Sequence, residues 1–205
     1  MRRNVFKWGG IAASVILIAF GIGSIGAGVW GIHYTRDQLK TEQITGSPDM
    51  TPSAIKQEAQ QPGHTNVDLP TCSVANEKVD TGKEAKCFAS YMRVHTLEAT
   101  GGQVYSEMPR YLDTNGKGTN DPAQAAKDPA TGAPTANHAR DIWVTYTALS
   151  TALNTSYFAE TVGVFGLVMG VALLLVGIGF LVLTLGGLGQ RETVAETAPN
   201  PAPAA

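Results

Sequence analysis

Thr161–Gln190 reads TVGVFGLVMGVALLLVGIGFLVLTLGGLGQ, a run with neither a formal charge nor a proline. A helix needs about 20 predominantly apolar residues to cross about 30 Å of hydrocarbon. The stretch therefore predicts a membrane span, and that expectation decides the fold class. A second run lies upstream, Trp8–Tyr34, WGGIAASVILIAFGIGSIGAGVWGIHY, again without charge or proline. Arg2, Arg3 and Lys7 precede it, as in the basic start of a secretory signal. A cleavable signal carries an apolar core of only about 7–15 residues. This run is far longer, and Trp8 at one end with Trp30 and Tyr34 at the other suit an interfacial aromatic belt. The expected element is an uncleaved signal anchor.

Lys and Arg are enriched on the cytoplasmic flanks of membrane spans. The basic residues before the first run and Arg191 directly after the second predict that both termini are cytoplasmic. The expected organisation is a cytoplasmic N-terminus (1–7), a first transmembrane helix (8–34), an extracytoplasmic region (35–160), a second transmembrane helix (161–187) and a disordered, Pro/Ala-rich cytoplasmic tail (188–205). The fold class is mainly α: a transmembrane hairpin carrying a largely helical, loop-rich, disulfide-stapled insertion. On this reading the averages of the 205-residue chain are a cancellation. A net charge of -2, 16% charged residues and a mean hydropathy of -0.01 sum two charge-free runs and a polar segment. The two charge-free runs exclude a soluble one-domain enzyme, and the charge balance excludes a strongly basic nucleic-acid binder.

Small residues recur at four-residue spacing in both runs. Gly23, Ala27 and Gly31 share one face of the first, and Ala159 with Gly163, then Gly166 with Gly170, do so on the second. Lipid tails are as apolar as Leu, so membrane helices associate where small residues let backbones approach. These seven residues are the expected helix-packing positions, either within a hairpin or against another subunit. Neither run contains Asp, Glu, Lys or Arg, and His33 lies at an edge. Proton relays and voltage sensors place ionisable groups inside the bilayer, which disfavours a transporter acting alone.

The polar region divides into helical stems at 35–44 and 137–160 around a subdomain at 45–136. Gly46 and Pro48 are expected to end the first stem. Ile142, Tyr146, Leu149 and Leu153 form an apolar stripe on the second, which packs against the first stem or covers the subdomain. Thr51-Pro52 reads as the cap and first position of a short helix through Ala59. Lys83–Ala99 is the clearest helix, with Phe88, Tyr91, Met92 and His95 on its apolar face and Gly101-Gly102 after it. A shorter helix is expected over Val104–Leu112, and no alternation supports a substantial sheet. Cys72 and Cys87 are the only cysteines. In an oxidising compartment such a pair reads as a disulfide, worth about 3 kcal/mol for a loop of this length.

Chemistry-bearing motifs are few. His95 and Glu98 lie one helical turn apart and offer two metal ligands, where a site needs three or four. His64 and His138 are distant in sequence. Asp113-Thr-Asn115-Gly-Lys117 through Asp121 has the outline of a calcium loop. Lys117 takes one ligand position, however, and Gln124 stands where a bidentate Glu belongs. These two departures make a plain Asn-Gly turn the expected reading, with no metal site. The Asn154 sequon falls in an expected helix close to the membrane.

With GSPDMTP after the first run, YMRVHTLEATGG in the central helix and TALSTALN before the second run, the chain resembles a loosely defined group of bacterial, actinobacterial-type two-pass membrane proteins. That resemblance implies a bacterial cell membrane and carries no activity. The expected function is a non-enzymatic structural or accessory subunit, without a cofactor. Its partners would be the lipid bilayer and other membrane subunits or a second copy, and not nucleic acid. The alternative is an exported ligand-binding or sensing module.

Overall fold

The computed structural model describes residues 2–60 and 67–196, with side chains over 6–60 and 67–186. His64 and the end of the expected tail, 197–205, lie outside the described residues. The elements are α1 (Arg2–Glu42), α2 (Pro52–Glu58), α3 (Gly82–Ala99) and α4 (His138–Glu196). Among the described residues there is no strand, only isolated bridges. The fold is mainly helical, and two of its helices, α1 and α4, are long and apolar enough to cross a membrane. The chain divides into two compact units, Met1–His33 with Thr161–Ala205, and Tyr34–Glu160.

In the first unit the buried residues of α1 are Ser14, Gly21 and Gly28, and those of α4 are Gly163, Gly170 and Gly177, among the described residues. Each set is spaced by seven. A Cβ on Gly21 would lie 2.8 Å from the Gly170 carbonyl oxygen, and one on Gly28 would lie 2.6 Å from that of Gly163. Gly10 faces Thr184 in the same antiparallel sense, and the Ser24 hydroxyl donates to the Gly166 carbonyl at 2.7 Å. The two backbones therefore touch along a glycine seam. A strict seven-residue repeat keeps such a seam in register through a left-handed supercoil. Phe20, Phe165, Leu175 and Leu183 point outward and are exposed. In the most apolar 18 residues of each helix only 11% are buried, unlike the core helix of a soluble domain.

The seam relocates the α1 contact. A Cβ on Gly23 or Gly31 meets no atom within 4 Å, and Ala27 is exposed. Gly21, Ser24 and Gly28 take the place of Gly23, Ala27 and Gly31. On α4, Gly163, Gly166 and Gly170 face α1, whereas Ala159 falls in the second unit.

The second unit is built around α3. Thr81 and Glu84 form a reciprocal capping box at its start, and Gly101 and Gly102, both at positive φ, turn the chain away from its end. Tyr91 and Val94 are fully buried in one cluster with Met50, Ile55, Val74 and Cys87. Ala85 and Ala89 join Leu39 of α1, Val79 and Leu153 of α4 in another. Leu153 thus meets both the first stem and the subdomain, while Ile142 and Leu149 of the same stripe stay exposed. Cys72 and Cys87 are bonded, with Cα atoms 6.1 Å apart, and the Tyr91 hydroxyl donates to the Cys72 carbonyl at 2.5 Å.

Element ends differ from expectation at three places. α1 stops at Glu42, before Gly46, because Gln43 turns the chain with φ 52°. Gly46 instead serves a close crossing, where its N–H donates to the Glu77 carbonyl and a Cβ would strike the Val74 carbonyl. Val104–Leu112 forms turns rather than a helix. Pro109 lacks a donor, and the Tyr111 and Leu112 amides are committed to the Thr119 and Thr135 carbonyls. α4 runs through Gly186 and on to Glu196, so the expected disordered tail from residue 188 is helical over its first part. RETVAE continues the helix readily, and no proline intervenes before Pro199.

Two outcomes follow for the full chain in detergent. Replacing both Cys72 and Cys87 by Ala costs about 3 kcal/mol, read as a lowered unfolding midpoint of the second unit. Gly170→Ala costs about 1–3 kcal/mol by forcing the backbones apart. Gly166→Ala, whose Cβ would have its nearest neighbour at 3.7 Å, leaves the midpoint within error.

Candidate functional site

Tyr91 and His95 are four residues apart and lie on one face of α3. Burying Tyr91 aims His95 at the segment that contains α2. That segment is pinned by Ile55, which is fully buried, and by Thr51, whose hydroxyl accepts the Ala54 N–H at 3.2 Å. Glu58, three residues beyond Ile55, shares its face and reaches His95. Asp49 enters from the turn before α2, beside the buried Met50. The result is a cluster drawn from three separate segments. His95 Nε2 stands 3.3 Å from Glu58 Oε2 and 3.6 Å from Asp49 Oδ2. One ligand atom from each residue lies within 4.8 Å of the other two, and among the described residues this is the group of three His, Cys, Asp or Glu with that arrangement.

His95 Nε2 and Glu58 Oε2 are closed to solvent, and Asp49 is half-exposed. The Ser47 hydroxyl donates to Asp49 Oδ1 and holds that carboxyl below the usual carboxylate range; His95 adds to the effect against partial burial. Oδ1 is thereby occupied, and Oδ2 is turned toward His95.

The other expected ligands are not drawn in. Glu98 is exposed and outside the cluster. Asp113 Oδ1 accepts the Asn115 and Lys117 amides at 3.0 and 2.7 Å, and Asp121 Oδ1 accepts that of Ala123 at 2.9 Å. These oxygens close turns of their own loop, as an Asx-turn requires, and do not converge on a common centre. Sequence reasoning found His95 and missed Asp49 and Glu58. Their signal was indirect, since only the packing of Ile55 against Tyr91 brings them across.

A second polar centre ties α1, α3 and α4 together within the second unit. Glu160 Oε1 accepts Arg36 Nε and Nη2 at 3.1 and 2.5 Å, and Oε2 accepts the Gly82 N–H at 2.6 Å. Gly82 has no room for a side chain, because its Cβ would lie 2.8 Å from Tyr157 Cα. Burial opposes the charge on Glu160, but the bonds from Arg36 and Gly82 outweigh it and hold the carboxyl below its ordinary range. A third feature is an open apolar groove lined by Tyr105, Trp143, Val144, Thr147, Ala148 and Thr151. Arg140 stacks over Tyr105 at 4.0 Å and Arg93 over Trp143 at 5.8 Å.

Because the folded Glu160 carboxyl is depressed, its stabilisation is complete above the ordinary glutamate value near ~4.3 and is lost as pH falls through the folded value. Acid unfolding of Glu160→Gln is accordingly less pH-dependent below about pH 4.5 than that of the parent chain. Arg36→Ala at neutral pH costs about 1–3 kcal/mol by stripping a largely buried carboxylate of its partner. Thermal melts across a pH series check both outcomes. No family model, curated protein or solved structure matches the chain.

Proposed function

We propose that the chain is a two-pass integral protein of a bacterial cell membrane, a non-enzymatic structural or accessory subunit of a larger assembly. Both termini lie in the cytoplasm, and residues 35–160 lie outside as the partner-contact region. The observation that carries the membrane reading is the α1–α4 pair, which meets through glycine and turns its large apolar side chains outward. Water would penalise that surface at about 25 cal/mol per Å², whereas lipid removes the penalty. The pair's residues 8–32 and 161–186 include no Asp, Glu, Lys or Arg, which supports an anchoring rather than a conducting role.

The groove of Tyr105 and Trp143 supports the accessory role. Tyr105 is exposed and Trp143 half-buried, each with an Arg over its ring, and Trp, Tyr and Arg are enriched among energetically dominant interface residues. A bilayer-anchored subunit with such a surface on the outside face meets its partners in the plane of the membrane.

Two measurements test this reading. Ala130→Cys, in an exposed turn, is labelled from outside intact cells by a membrane-impermeant maleimide, and Lys7→Cys is not; the reverse pattern overturns the threading. Native mass spectrometry after gentle extraction finds a fixed partner or a defined oligomer. Trp143→Ala lowers that association by at least tenfold, as loss of a dominant contact of more than about 1.4 kcal/mol requires. A chain that purifies alone and monomeric defeats the accessory role.

A further inference from the structure

We propose that Asp49, Glu58 and His95 bind a divalent cation of the zinc class. The donor set fits the chemistry: one imidazole nitrogen and two carboxylate oxygens are ligands that Zn²⁺ accepts at about 2.0–2.2 Å. The geometry fits as well. In a tetrahedron with bonds of that length, neighbouring ligand atoms are about 3.3–3.6 Å apart. The two separations from His95 Nε2 are 3.3 and 3.6 Å. Two edges of a tetrahedral site are thus already at length, and one ligand atom from each of the three residues lies within 4.8 Å of the others.

The surroundings are those of a supported site. His95 is fixed by the burial of Tyr91 and Val94, which precede it in α3, and Glu58 by the burial of Ile55. The Ser47 hydroxyl occupies Asp49 Oδ1, an outer contact of the kind that orients a ligating carboxylate. A metal ion takes imidazole and carboxylate in their deprotonated forms, so this donor set brings a charge of about -2 to a bound divalent ion and neutralises it. Three protein ligands leave one tetrahedral position for water or for an oxygen donor of a partner, on the side where Asp49 is half-exposed. Bound there, the ion clips the turn at Asp49 and α2 onto α3, as the Cys72–Cys87 bond clips the preceding loop onto the same helix. The site lies wholly within residues 34–160 and does not depend on the membrane reading.

The test uses the full chain in mild detergent, stripped with a chelator and titrated with ZnCl₂ by calorimetry and native mass spectrometry. One Zn²⁺ binds per chain, and the unfolding midpoint of the second unit rises with its concentration. Asp49→Asn and His95→Ala each weaken binding by at least the roughly 10–100-fold that losing a supporting contact costs. Ser47→Ala weakens it by about 10-fold, and His138→Ala, which removes the exposed His138–Asp141 pair, leaves it unchanged. Asp49 is half-exposed, so its Asn variant remains folded and informative where His95→Ala does not. If His95 serves only as an ion-pair partner of the two carboxylates, Zn²⁺ binds the parent and the Asp49→Asn chain alike, or not saturably to either. Either result overturns the proposal, as does an affinity that follows His138.

Discussion

The carboxylate of Glu160 is the point on which the second unit turns. One oxygen takes the guanidinium of Arg36 from α1, and the other takes the first amide of α3. Three helices that are far apart in the chain are thereby joined by a single side chain. The amide it accepts belongs to a helix N-terminus, where an anion is favoured by the unpaired N–H groups and the helix dipole. Gly82 is needed there for closeness, since any side chain would push α3 off the backbone of α4. The two apolar clusters then form on either side of α3, and the disulfide locks the loop that precedes it. Removing the carboxylate would release the guanidinium of α1 and the first amide of α3 together.

What could be read from sequence follows the range of the physics involved. The charge-free runs, the cap at Thr51, the helix closed by Gly101-Gly102 and the cysteine pair are local or nearly local signals, and each has a counterpart in the structure. The Arg36–Glu160 contact and the gathering of Asp49, Glu58 and His95 span long stretches of chain. They exist because unrelated apolar residues pack, and no spacing rule announces them. Val104–Leu112 departs from its expected helix for a similar reason, because the Tyr111 and Leu112 amides find carbonyl partners at 119 and 135 that a window on the segment does not contain.

The seam in the first unit is an instructive intermediate case. Glycine is so frequent in these helices that several four-residue spacings compete, and Gly23, Ala27 and Gly31 are one of them. The period that matters is seven, shared by Ser14, Gly21 and Gly28 with Gly163, Gly170 and Gly177. It is visible only when both helices are read together, because antiparallel pairing must set glycine opposite glycine to bring two backbones into contact. A single-helix pattern scores a face, whereas the pair selects a register.

That register has a geometric price of its own. Helices whose backbones touch at glycine, with Ile18, Ile25 and Ile32 reaching over the seam, share a narrow line of contact, so most of their bulk lies on the outer perimeter. For its length, such a pair touches its surroundings over more area than an interdigitated pair does. Its free energy is therefore unusually sensitive to the medium around it and to anything in that medium able to lie along either outer face.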